Sequence, residues 1–304
     1  MSILVTGGAG FIGSNLVKDL LASSQDVIVL DDLSTGSGEN LRDLSGSLEV
    51  INASCLDLPN LEVRPEGIYH LGVPSSSPLY KRNPLLVGEA VNGMIAVLEL
   101  AKTAKCRVVY ASTSSLYGGQ KPPHQEDMEV FVTDYYTEAR FCMERMAELY
   151  RNLFGVESVG MRFFSVYGPR EGAKKQYANI VTQFLWEMTA GRAPVIYGDG
   201  SQTRDFIYVK DVVSALRLAM NSDCQGVLNV GTGKSCSFNE VAEILADKIG
   251  LDIKAEHVDN PIKNYVVHTR CDTAKAARVL GFQSRYTLDE GIDELIKYYG
   301  AGRN

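Results

Sequence analysis

The 304 residues are 45% apolar and carry a net charge of −7 without a long basic run, so the chain can bury a full core and nucleic acid is excluded as its main partner. The six cysteines, at 55, 106, 142, 224, 236 and 271, include no C-x-x-C pair, the four histidines no H-x-x-x-H pair, and no apolar run reaches membrane-spanning length. A disulfide scaffold, a histidine metal site and a membrane span are therefore not expected.

Ile3-Leu4-Val5 predicts a buried strand over 2–6. A first strand this early leaves no room for a leader peptide, and a cytoplasmic protein is expected. Gly7-Gly8-Ala9-Gly10-Phe11-Ile12-Gly13 follows, and 12–23 reads as a helix. Gly8, Gly10 and Gly13 keep the G-x-G-x-x-G spacing, and the strand before and helix after supply the context that makes it a dinucleotide signal. Glycines at 7, 10 and 13 permit a sharp turn and close approach of the backbone to a ligand, while the amides opening the helix favour a pyrophosphate. A second strand at 27–31 ends on Asp31-Asp32, where a carboxylate meets adenosine ribose hydroxyls and repels a 2′-phosphate. The next arginine is Arg42, so the sequence favours NAD over NADP.

Further strands are predicted at 48–52, 67–71, 107–112 and 156–162, with helices at 85–104 and 135–154. This alternation implies right-handed crossovers and a Rossmann-type, doubly wound parallel sheet with helices on both faces. The second half is less regular: a helix over 178–191 broken by Arg192-Ala193-Pro194, a helix over 210–220, a strand over 225–230, and capping boxes Ser237-x-x-Glu240 and Thr287-x-x-Glu290 opening the last two helices. It predicts a smaller α/β region, 166–304, packed on a cofactor domain of 1–165 to which 204–231 returns. A ligand is then expected at the carboxyl ends of the strands.

Ala111-Ser112-Thr113-Ser114-Ser115 places hydroxyls just past a central strand, and Tyr136 and Arg140 stand one helical turn apart. A cation beside a phenol favours the phenolate, and a phenolate can act as general base on a hydroxyl.

Together these features resemble the extended short-chain dehydrogenase/reductase family, in its branch of NAD-dependent sugar-nucleotide epimerases and dehydratases typified by UDP-glucose 4-epimerase. The resemblance runs through Thr6 to Gly13, Asp31 to Gly36, His70-Leu71-Gly72, Ser112 to Gly118, Tyr136 to Glu144, Arg162 to Arg170, Gly198 to Phe206 and Leu228 to Gly231. It implies epimerisation of a nucleotide sugar at C4 through a 4-keto sugar. It also implies that Tyr136 is the base, that Thr113 bonds O4, and that Arg140 is the cation completing the catalytic set. Gly7, Gly10, Phe11, Ile12, Gly13, Asp31, Asp32, Ser34, Leu71, Gly72, Val73, Ala111, Ser112 and Phe163, with Tyr136 and Arg140, match positions around NAD. Asn179, Ile180, Val195 and Tyr197 match a nucleoside wall, and Ser165 and Arg204 match contacts to the sugar diphosphate. A homodimer through the helices at 85–104 and 135–154 is implied as well.

The chain departs from that family at several of these positions. Arg140 stands where the family has lysine, Ser165 and Ala90 where it has asparagine, and Ser54 where it has aspartate, with Asp57 close by. Arginine keeps the charge but cannot relay a proton, which suits a cycle with no net proton release. Ser114 and Ser115 replace the acidic residues of 4,6-dehydratases and UDP-glucuronate decarboxylases, which disfavours those reactions. The other readings are those two activities, a uronate or amino-sugar epimerase, and a catalytically silent binder of NAD or nucleotide sugar.

Overall fold

A computed structural model describes residues 2–262 and 265–301. Its elements run β1 (Ser2–Thr6), α1 (Phe11–Ala22), β2 (Asp26–Leu30), β3 (Leu48–Ile51), β4 (Gly67–His70), α2 (Ser77–Arg82), α3 (Leu86–Ala104), β5 (Arg107–Thr113), α4 (Tyr135–Phe154) and β6 (Ser158–Phe163). There follow β7 (Ser165–Tyr167), α5 (Ile180–Thr189), β8 (Val195–Tyr197), β9 (Thr203–Arg204), β10 (Phe206–Tyr208), α6 (Val209–Met220) and β11 (Gly226–Val230). The last are β12 (Cys236–Ser237), α7 (Phe238–Ile249), β13 (Glu256–Val258), α8 (Ala274–Leu280) and α9 (Leu288–Tyr299).

Seven strands form one parallel sheet in the order β3-β2-β1-β4-β5-β6-β11. Every strand buried on both faces must be apolar on both, and β1 and β5 are. Val5 and Val109 pack under α1 and α6 with Leu16, Leu20, Val212 and Leu216. Leu4 and Val108 pack on the other face under α3 and α4 with Met94, Val97 and Met143. The strand order reverses between β1 and β4, and there the two turns nearly touch: a Cβ on Gly7 would lie 2.6 Å from Gly72 Cα. A third core, built from Phe184, Leu185, Val241, Leu245, Ile292 and Leu295, joins α5, α7 and α9. No helix among the described residues is long and apolar enough to cross a membrane.

Both expected capping boxes form, on Ser237 and Thr287. The helix expected over 178–191 is shorter. Asn179 caps it by accepting from the Val181 amide at 3.1 Å, and it ends before Gly191, whose φ of +73° takes the chain out of the helix, ahead of Pro194. Val195–Tyr197 forms the strand β8 that the resemblance implied; its pairing with β13, the pairs β7–β10 and β9–β12, and helices α2 and α8 were not expected, since two- and three-residue strands carry no readable period.

Beside the sheet's carboxyl edge lies a buried polar chain. Glu144 accepts from Arg162 Nε at 2.9 Å, from Arg162 Nη2 at 2.7 Å and from the Ser112 hydroxyl at 2.5 Å. Arg162 Nη1 donates to Tyr117 Oη at 3.1 Å, and that hydroxyl donates to Asn229 Oδ1 at 2.5 Å. One carboxylate thus ties α4 to β5, β6 and β11. Truncation of Glu144 to alanine strands the Arg162 charge in the interior and is expected to lower stability by about 3–5 kcal/mol, read as a fall in the urea midpoint with an unchanged slope.

Candidate active-site cleft

The turns after the sheet strands close on a cavity of about 620 Å³. At one end the β1–α1 turn is held by the Gly7 amide on the Leu30 carbonyl at 2.8 Å and the Gly10 amide on the Gly7 carbonyl at 3.1 Å. Helix α1 starts on Gly10, which offers no side-chain cap, and its first turn holds no acidic residue. Its opening amides and dipole are thereby left for an anion. A Cβ on Gly13 would lie 2.0 Å from the Gly7 carbonyl oxygen, so the turn can pack this tightly only with glycine.

Asp31 braces the same turn, accepting from the Ala9 amide and the Leu33 amide at 2.9 Å each. Burial pushes its carboxyl up, against the pull of those amides. Asp32 is exposed and accepts from the Ser34 amide at 2.9 Å and from the Ser34 hydroxyl at 2.5 Å. Ser54 and Asp57 cap one another, the Ser54 amide donating to Asp57 at 2.9 Å. A pyrophosphate cradle of bare amides with a carboxylate at the second strand end fits a dinucleotide.

At the other end Tyr136 stands in the first turn of α4, which Asp134 and Thr137 close with a capping box. The Arg140 guanidinium lies 5.2 Å from the Tyr136 ring centroid. It is 3% exposed; Nη2 donates to the Pro74 carbonyl at 2.9 Å and Nη1 to the Ala111 carbonyl at 3.4 Å, while Nε is buried without a partner among the described residues. Tyr80, fully buried, meets Tyr136 edge-on at 5.7 Å. His70, on Thr6 Oγ1 at 2.8 Å, is pushed down to about 3 by burial and by the Arg140 charge, and so stays neutral there. Thr113 Oγ1 accepts from the Ser115 amide at 3.1 Å, which leaves its own proton free to donate.

Residues 3–231 match the NAD-dependent epimerase/dehydratase family. The chain belongs to that family. It is 35% identical to a UDP-glucose 4-epimerase of Mycolicibacterium smegmatis over 98% of each chain. It is 33% identical to UDP-glucuronic acid decarboxylase 1 of Danio rerio, over 98% of this chain and 72% of that one. A solved UDP-N-acetylglucosamine 4-epimerase of Methanobrevibacter ruminantium, in complex with UDP-N-acetylmuramic acid, superposes with a TM-score of 0.94 at 29% identity, over 99% of this chain and 98% of that one.

In this epimerase/dehydratase every residue expected in the site lines the cleft except Ile180, Val195, Tyr197 and Arg204. Arg204 is turned onto its own chain, Nη2 donating to the Val266 carbonyl at 2.6 Å and Nη1 to those of Thr203 and Val267 at 2.9 and 3.0 Å. Its guanidinium lies 5.4 Å from the ring centroids of both Phe238 and Tyr265. Sequence reasoning missed Lys174 and Tyr177, which line the same wall as Ser165 and Asn179. The only local signal was their nearness in sequence to Asn179.

Substitution of Gly13 by alanine is expected to leave the far-ultraviolet circular dichroism unchanged and to weaken NAD binding by roughly 10- to 100-fold, as overpacking forces the turn open. Fluorescence titration with NAD measures it.

Proposed function

We propose that this protein epimerises a nucleotide sugar at C4, of the UDP-glucose/UDP-galactose type. The observation that carries the reading is the buried Arg140 guanidinium 5.2 Å from the Tyr136 ring, in a cleft that Thr113 also lines. Bound NAD would supply reversible hydride acceptance at the sugar carbon. Tyr136, as phenolate, takes the O4 proton while Thr113 donates a hydrogen bond to O4 and orients it. Arg140 balances the phenolate charge in a site where water does not screen it. When the keto sugar is reduced on its other face, Tyr136 returns the proton. No proton leaves, so a guanidinium that cannot relay one is sufficient.

Ser114 and Ser115, both on the cleft wall, offer no acid to expel a 6-hydroxyl, which supports epimerisation over dehydration. On this reading Gly7, Gly10, Phe11, Ile12, Gly13, Asp31 and Asp32 hold the cofactor, with 1–165 and 204–231 as its unit, while 166–304 mainly shapes the nucleotide-sugar end. A cytoplasmic homodimer is part of the same proposal. The pair α3 and α4 would form its face, since Leu149 and Leu153, one turn apart on α4, are 44% and 62% exposed.

Incubation with UDP-glucose, UDP-N-acetylglucosamine and UDP-glucuronate, followed by NMR, tests the reaction. A C4 epimer is expected. A 6-deoxy-4-keto product or a decarboxylated sugar reassigns the chemistry, and no product from any donor favours the silent binder. With the active donor, Tyr136→Phe is expected to lower kcat by about 10²–10⁴ while NAD still binds.

A further inference from the structure

Among the described residues three carboxylates, Asp31, Asp32 and Glu89, line the cleft, and two cations do so, Arg140 and Lys174. Arg140 is committed beside Tyr136, with its terminal nitrogens on backbone carbonyls. Arg204, the sequence's candidate for a diphosphate, is off the wall with its donors on Val266, Val267 and Thr203. A nucleoside diphosphate ester brings two negative charges into this acidic cleft, and Lys174 is the cation there not already assigned.

Its setting is built. The Lys174 side chain is 20% exposed, and its ammonium lies 3.0 Å from Glu171 Oε1 and 5.1 Å from the ring centroid of Phe11, the first residue of α1. Glu171 is fully buried and anchored without it: Oε1 also accepts from the Asn179 amide at 3.0 Å, and Oε2 accepts from the Thr182 hydroxyl. When Lys174 swings away, Glu171 keeps its bonds to the Asn179 amide and the Thr182 hydroxyl but loses its counter-charge, a cost that the contact to a pyrophosphate must exceed. Tyr177, three residues on, also lines the cleft, with a buried hydroxyl that has no hydrogen-bond partner among the described residues.

We infer that Lys174 is a diphosphate-binding residue of the cleft, its ammonium leaving Glu171 for the pyrophosphate of a nucleotide seated against Phe11. The inference rests on the nucleotide-sugar reading for one of its two sources; the other is the pyrophosphate of NAD. The chemistry is common to both, an ammonium against a pyrophosphate dianion.

Titration calorimetry of wild type, Lys174→Met and Lys174→Arg with UDP, UMP, uridine and NAD separates them. Lys174→Met should weaken UDP or NAD by roughly 10- to 100-fold, as for a lost charge-assisted bond, and UMP less; Lys174→Arg should restore most of the affinity. A loss confined to UDP assigns the lysine to the substrate, and one confined to NAD assigns it to the dinucleotide. Unchanged affinity for both in a variant with wild-type Tm overturns the inference. So do equal losses for UDP, UMP and uridine, which would mark a wall contact rather than a phosphate contact. If the wild type binds NAD but no UDP, it is the nucleotide-sugar reading that fails, and the NAD arm alone decides the role of Lys174.

Discussion

Arg140 holds a guanidinium inside the protein on the carbonyls of Pro74 and Ala111 and on Met143 Sδ, with no carboxylate in that set. A buried charge without a counter-charge is costly, and backbone dipoles offset only part of the cost. The residues around it are consistent with that constraint. His70 is kept neutral, the Thr113 and Ser112 hydroxyls bond elsewhere, and the Tyr136 phenol lies beside the cation. Pro74 follows β4 and Ala111 lies in β5, so the same bonds seat the first turn of α4 on the carboxyl edge of the sheet. The Ser77 hydroxyl, donating to Asp134, fixes that turn from α2. The position of Tyr136 therefore follows from the sheet through Arg140.

What could be read before the structure was local. Gly7, Gly10 and Gly13, the carboxylates at 31 and 32, and the four-residue step from Tyr136 to Arg140 each state their geometry within one turn or one helix, and all of them line the cleft. The sheet was legible because each of its strands is an apolar run followed by a crossover. What could not be read depends on pairs brought together by folding. Glu144 meets Arg162 across 18 positions, Tyr117 meets Asn229 across 112, and the Asn40 side chain reaches the Arg170 carbonyl across 130. Lys174 and Glu171 are near neighbours, yet nothing in that spacing reveals that the carboxylate is buried or that the ammonium lies against Phe11. Arg204 shows the converse: a recognisable motif position whose side chain is spent on backbone carbonyls brought over from residues 266 and 267.

The two ends of the cleft are made differently. The glycine-turn end is main chain, with amides and glycines whose spacing is set by sheet packing: Gly7 against Gly72, Gly8 against Val29, Gly13 against Gly7. A side chain at any of these positions would collide, so the geometry is one that the fold itself dictates. The other end is side chain, Ser165 at the start of β7 and Lys174, Tyr177 and Asn179 on the segment between β7 and α5. Such a segment can change without disturbing the sheet. Relatives near one-third identity are named for an epimerase and for a decarboxylase, as a fold that keeps its sheet and varies such a segment allows.

Proton accounting narrows the chemistry where the fold does not. Lysine beside a catalytic phenol can lose its proton and recharge the site from water; arginine cannot at any ordinary pH. With Arg140 bonded to the Pro74 and Ala111 carbonyls and His70 held neutral, neither side chain offers a relay for the proton that Tyr136 would accept in the proposed cycle. A reaction that hands the proton back to the same oxygen needs no such relay. Ser114 and Ser115 point the same way, since neither can supply the additional acid that eliminating a hydroxyl requires. The substitutions that set this chain apart from the usual pattern thus favour a cycle closed on a single phenol.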